Sequence, residues 1–382
     1  MSGAGRLGAA DAVFESPVDE TVVDEVIRRT IEICAVPGPP LRESDRGDVV
    51  QRWFTDDGLQ RVTRDETGNV WAQVRDGSGP AIVVCAHLDT VFESHERHGA
   101  VRSGNLLTGP SVGDDSVALA ALSSLRATLP ARTTSPVWVL GTVGEEGLGD
   151  LAGVRAALAD PVVPVAAMIA VEGNYLGRVC TTGVGSARWR VILAGPGGHA
   201  WEAADGPSAV HDAATLIGRL TSLERPAEGR STLNVGTLVG GEAINGRARH
   251  AAFEVDVRSD HPGSLETLVE RCSEVFASDD MGCEITVRHI GRRPAGAIAP
   301  DHALVRAAIE AHERSGIRWR FTAASTDANA AHAAGVPALA VGVTVGEQEH
   351  TLEEWIDLAP LGQGLRVLAD TVVVFDQRGG RR

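Results

Sequence analysis

Apolar and polar positions alternate along the first half of this chain with two distinct periods. Nearly continuous apolar runs at 69–75, 81–87, 136–142 and 165–172 read as strands buried on both faces. Between and around them, amphipathic stretches at 20–35, 46–57, 115–129 and 150–159 read as helices. Such alternation predicts an α/β sheet covered on both sides. After Thr181-Thr182-Gly183 the rhythm changes. SARWRVILAG reads as a strand, PSAVHDAATLIGRL as a helix, LNVGTLVGG and HAAFEVDVRS as two strands, SLETLVERCSEVF as a helix and CEITVRHIG as a strand. That β-α-β-β-α-β order is the ferredoxin-like split unit. It closes near Arg293-Pro294, after which an apolar strand at 337–343 and a helix at 360–376 resume the earlier pattern. The pattern therefore predicts a discontinuous mixed-sheet α/β domain, 1–183 and 293–382, with an inserted ferredoxin-like α+β domain at 184–292. The first fifteen residues read as a loose tail, and no internal repeat is evident.

A length of 382 residues suits two cores, and 43% hydrophobic with 23% charged residues is ordinary globular composition. No run of about 18 apolar residues occurs and no basic segment leads into an apolar N-terminal stretch, so neither a membrane span nor a signal peptide is predicted. The expected location is the cytoplasm. The five cysteines are scattered and never form a C-x-x-C pair, which argues against a disulfide framework and a thiolate zinc site. A net charge of −16 repels phosphate backbones and anionic lipid, so neither nucleic acid nor a membrane is an expected partner. All 35 basic residues are arginine. Without lysine, Schiff-base chemistry and the phosphate-binding lysine of a P-loop are excluded, and no GxGxxG fingerprint supports a redox cofactor.

The candidate chemistry begins at AIVVCAHLDT, where a buried strand ends in His87-Leu88-Asp89. Residues two apart on a strand share a face, so the imidazole can point outward with Asp89 beside it to orient the ring. Further clusters sit at strand ends or helix starts, where open α/β sheets place their ligands. They are Gly113-Asp114-Asp115, Gly144-Glu145-Glu146-Gly147, Glu172 in Val-Glu-Gly, and His350 in Gly-Glu-Gln-Glu-His-Thr. Each alone reads more readily as a cap or a solvated turn. Together they offer nitrogen and oxygen donors without sulfur, which suits divalent zinc, cobalt or manganese in a catalytic site.

The ordered set HLDT, GDD, GEEG, VEG, GGHA, STDAN and a late glycine-rich loop ending in histidine resembles the zinc-dependent peptidase and aminoacylase family. That family includes peptidase T, carboxypeptidase G, acetylornithine deacetylase and succinyl-diaminopimelate desuccinylase. The likeness runs over nearly the whole chain, and STDAN followed by GVPA looks nearest to the peptidase T-like branch. The resemblance implies that Asp114 bridges two divalent metal ions, one also held by His87 and Glu172, the other by Glu146 and His350. It implies Glu145 as general base, Asp89 as the carboxylate that fixes the His87 tautomer, and a cis peptide between Asp114 and Asp115. His199 in GPGGHA resembles the histidine that hydrogen-bonds the developing oxyanion, often across a dimer. Asn245 in GEAIN and Arg293 in GRRP resemble substrate contacts, with Arg258 and Arg292 as rivals for a substrate carboxylate. The inserted domain is then a lid and dimerisation domain, and a homodimer is expected. One departure stands out: many relatives carry lysine after the paired aspartates, and this chain carries Ser116.

The function these features predict is hydrolysis of an amide bond in a short peptide, by an aminopeptidase or tripeptidase-like enzyme. An N-acyl- or N-carbamoyl-amino-acid amidohydrolase on the same metal core is the alternative. A noncatalytic module would show degraded ligands, and none is degraded. Nucleophilic catalysis by Cys85 or Ser325 lacks a G-x-S-x-G elbow.

Overall fold

A computed structural model describes residues 17–379, so the expected N-terminal tail lies outside the described residues. The chain separates into two compact units, one running to Thr182 and resuming at Ala297, the other spanning Gly183–Gly296.

The first unit is built on a mixed sheet. Its strands run in the order Gln60–Arg64, Val70–Arg75, Val137–Thr142, Ala81–His87, Val165–Val171, Ala338–Val341 and Arg178–Gly183. The central neighbours Val137–Thr142, Ala81–His87, Val165–Val171 and Ala338–Val341 pair in parallel, while the flanking pairs are antiparallel. Strand parity explains the continuous apolar runs. Ile82, Val84 and Ala86 enter one core with helices Glu20–Cys34, Val117–Thr128 and Leu361–Gly379. Ala81, Val83 and Cys85 enter another with helices Ala152–Ala159 and Ala328–Ala333. Both faces of the strand are thus covered, which is why no polar residue interrupts it before His87. A small antiparallel sheet, Val345–Glu347, Trp355–Asp357, Leu106–Thr108 and Val101–Ser103, carries the loop that contains His350.

The second unit has the order strand Gly185–Ala194, helix Ala209–Thr221, strands Ser231–Gly240 and His250–Ser259, helix Pro262–Phe276 and strand Glu284–Arg293. Its sheet is antiparallel, with Ser231–Gly240 and Glu284–Arg293 at the edges. Leu216, Leu220, Leu265, Leu268 and Phe276 of the helices pack on Trp189, Val191, Phe253 and Val255 of the strands. Among the described residues no helix is long and apolar enough to cross a membrane.

Candidate metal centre

Parallel strands leave their C-terminal ends along one edge of a sheet, and three of the acidic and histidine clusters follow from that geometry. His87 ends one strand, Glu145 and Glu146 follow the next, and Glu172 follows the third. Asp114 lies at the turn before helix Val117–Thr128, and its peptide bond to Asp115 is cis. His350 arrives on the loop of the small sheet, with a positive φ of 64°.

Three overlapping groups of donor atoms result, each with its atoms within 4.8 Å of one another: His87, Asp114 and Glu172; Asp114, Glu146 and His350; and His87, Glu145 and Glu146. His87 Nε2 lies 2.8 Å from Asp114 Oδ1, and His350 Nε2 lies 3.1 Å from Asp114 Oδ2 and 2.9 Å from Glu146 Oε1. Asp114 therefore presents one oxygen to each histidine. His87, Glu145, Glu146 and Glu172 are buried, whereas His350 is exposed.

The electrostatics show that positive charge is favoured between these groups. Burial disfavours an imidazolium at His87, but Asp115, Asp114 and Asp89 outweigh it and hold its pKa well above the ordinary value. Hydrogen bonds to Asp114 and Glu146 push His350 up to about 11. Burial acts to raise Asp114, yet its bonds with His350 and His87 bring it below the usual carboxylate range. Glu172 is pushed well above that range by burial and then by Asp115 and Asp114. Carboxylates crowded out of water in this way need a cation between them. The donor set, two imidazoles and four carboxylates without sulfur, fits divalent ions of the zinc, cobalt or manganese kind.

Behind these donors lies a set of side chains that grip backbone. Asp115 Oδ2 accepts the N–H of His87 at 3.1 Å, and its Oδ1 accepts that of Gly173 at 3.0 Å, so one carboxylate ties two strand ends together. Asp89 accepts the N–H groups of Glu145 at 2.9 Å and Glu146 at 2.7 Å. The ring Nδ1 lies 2.9 Å from the backbone carbonyl of Asp89, while the carboxylate stands off at 3.6 Å because it is turned toward the Glu145-Glu146 loop. Glu43 accepts from Gly144 at 2.6 Å. Glu354 Oε1 accepts from Gly113 at 2.7 Å and Asp114 at 2.8 Å, and burial followed by Asp114 pushes its pKa to about 9. Asn174 donates to Glu349 at 2.8 Å, steadying the loop that ends in His350. Asp327 of STDAN accepts from Thr142 at 2.6 Å at the end of a central strand.

Glu43, Arg46 and Glu354 carry no motif that marks them in the sequence. Arg46 had a faint signal, a charged residue in register with Val50 and Trp53 on the buried face of helix Ser44–Asp56. Its guanidinium lies 3.0 Å from Ser116 Oγ, so a cation stands beside the position where relatives are expected to carry lysine.

The remaining sequence candidates lie on the second unit. His199 ends the short strand Gly198–His199, which pairs with Gly246–Arg247, and Ala200 donates to the carbonyl of Asn245 at 2.9 Å. His199 and Asn245 are thus neighbours there, and both are exposed. Arg293 ends strand Glu284–Arg293 and is buried, while Arg292 is bonded to Glu266.

Comparison with known proteins follows the same lines. A family model described as peptidase family M20/M25/M40 matches residues 83–373. A probable carboxypeptidase of Aspergillus flavus is 26% identical over 298 residues, which cover 69% of this chain and 70% of that protein. The structure of a tripeptidase from Staphylococcus aureus superposes with a TM-score of 0.78 at 21% identity, covering 95% of this chain and 100% of the other. Aminopeptidase PepT from Bacillus cereus superposes with a TM-score of 0.75 at 21% identity, covering 94% and 99%.

Proposed function

The chain belongs to peptidase family M20/M25/M40 and is a hydrolase, and from that membership we propose that it cleaves the amide bond of short peptides at a centre of two divalent metal ions. His87 and Glu172 would hold one ion and Glu146 and His350 the other, with Asp114 placed to serve both. The observation that carries this reading is the placement of Asp114, whose two oxygens face His87 at 2.8 Å and His350 at 3.1 Å. Zinc is the proposed metal, with cobalt and manganese suited to the same donors.

When bound, two such ions supply Lewis acidity and make water acidic enough to ionise near neutral pH. The protein's own contribution is proton management. Glu145 is buried beside His87 and Glu146, and it is the carboxylate outside the proposed ligand set. It takes the proton from the attacking water and delivers it to the leaving nitrogen, which must depart as an amine. Asp89, by holding the N–H groups of both Glu145 and Glu146, keeps base and ligand side by side. His199 is the proposed oxyanion donor, and Asn245 and Arg293 the proposed substrate contacts.

The names of the fungal relative and of the two superposing structures, a carboxypeptidase, a tripeptidase and an aminopeptidase, support an exopeptidase acting on small substrates. The two superposing folds also support a place in the peptidase T-like branch. A homodimer through the second unit is part of the proposal. Strand Ser231–Gly240 is an edge strand that leaves Leu238 and Val239 exposed, and Ile244 just past it and Trp201 elsewhere on the same unit are exposed too. The five cysteines are unpaired and buried, which suits the proposed cytoplasmic location.

Glu145→Gln tests the assignment. The variant should bind two equivalents of metal as the parent does, while hydrolysis of di- and tripeptides drops by about three orders of magnitude or more. Activity within a few fold of the parent's would remove Glu145 from the mechanism.

A further inference from the structure

Arg46 lies on helix Ser44–Asp56 with 0% of its surface exposed. Its Nε donates to the carbonyl of Leu88 at 2.5 Å, one terminal nitrogen donates to the carbonyl of Ile33 at 2.9 Å, and the other to Ser116 Oγ at 3.0 Å. Leu88 sits between His87 and Asp89, and Ser116 follows Asp114-Asp115. One guanidinium therefore bridges the strand end and the helix start that bring His87 and Asp114 together. Its planar fork suits such a task, because the directions of its donors are fixed.

Two further observations show that the position is built for it. A Cβ at Gly38 would lie 2.3 Å from Arg46 Cδ, so the turn holding Gly38 leaves room for the arginine stem only because that residue has no side chain. The same turn is tied to the strand end, since Thr90 donates to the carbonyl of Gly38 at 2.7 Å. The acidic side chains whose charge reaches the guanidinium are Asp89, Asp115 and Glu43. These three carboxylates accept the backbone N–H groups of Glu145, Glu146, His87, Gly173 and Gly144. These carboxylates offset part of what burial costs the guanidinium charge.

We propose that Arg46 is a positioning residue for the metal centre: a buried cation that clamps the Leu88 carbonyl to the Ser116 hydroxyl and so fixes His87 against Asp114. The proposal rests on the metal-binding reading above. It assigns Arg46 no contact with substrate. It separates Arg46 from ordinary core residues by a charge and a set of donors, neither of which packing alone requires.

The test uses Co2+ binding to the metal-free full chain, read by competition with a chromophoric chelator and by the visible cobalt spectrum, with thermal unfolding of the metal-free protein alongside. Arg46→Met keeps the volume of the stem and removes the donors. It should weaken cobalt binding about 10- to 100-fold, the range seen when a group supporting a ligand is lost, and alter the cobalt spectrum. Adding Ser116→Lys to Arg46→Met returns an ammonium to the same space and should recover at least about tenfold of that affinity. Gly38→Ala displaces the arginine without removing its charge and should also weaken binding, which decides the matter if Arg46→Met does not fold. Parent-like cobalt binding in Arg46→Met or in Gly38→Ala would overturn the proposal, as would weakened binding that Ser116→Lys leaves unrestored. A parent protein that binds no cobalt brings down the functional reading itself, and this inference with it.

Discussion

At the scale of single residues, burial that neighbouring charge does not fully offset leaves a mark on stability. Asp370, on helix Leu361–Gly379, is 2% exposed, and Arg366 lies 3.8 Å from it. Burial pushes its carboxyl to about 6, more than Arg366 and Arg314 draw it back. Because the folded value exceeds the unfolded one, the folded state binds the extra proton, and the stability this brings is full below the ordinary carboxylate value and lost as pH rises through about 6. Asp370→Asn should therefore stabilise the protein by about 2 to 3 kcal/mol at pH 7.5 and by much less near pH 4, by urea denaturation at the two pH values. An equal gain at both would mean that charge is not the cause. The same scale shows what the sequence could convey about the site. His87, Asp114, Glu145, Glu146, Glu172 and His350 announce themselves because each belongs to a short cluster with unusual polarity at the end of an apolar run. Glu354 and Arg46 do not, because they act on backbone groups 240 and 42 residues away, and no local pattern records such a contact. Asp89 is legible as a neighbour of His87, but its hold on the backbone of Glu145 and Glu146 is not, since strand parity fixes a face and not a rotamer.

At the scale of elements, the site depends on how closely the strand ends approach the Asp114 turn. A Cβ at Gly173 would lie 2.3 Å from the carbonyl oxygen of Gly113 and 2.3 Å from Val117 Cγ1. Gly173→Ala should push the strand end bearing Glu172 away from the turn bearing Asp114, lowering stability by about 1 to 3 kcal/mol and weakening metal binding at the proposed His87, Asp114 and Glu172 site. Urea denaturation and cobalt titration check the two effects. Unchanged cobalt affinity would show that the turn and the strand end can shift together. The long buried strands were readable because coverage on both faces makes them continuously apolar. The strands of the small sheet, Val101–Ser103, Leu106–Thr108, Val345–Glu347 and Trp355–Asp357, were not, since three residues are too few to display a period. Strand Arg178–Gly183 was also passed over, its apolar content broken by Thr181, Thr182 and Arg178.

At the scale of the whole molecule, each of the two units closes its own core. A chain of net charge −16 that lacks lysine gathers buried carboxylates at one place, where cations of higher charge can answer them. The central claim is that His87, Asp114, Glu146, Glu172 and His350 converge on two metal ions. Anomalous diffraction at the zinc absorption edge, from crystals of the zinc-loaded protein, tests it directly. Two peaks flanking the Asp114 carboxylate, about 3.5 to 4 Å apart, are the predicted result. Full-occupancy protein with no anomalous density between His87 and His350 would contradict the account.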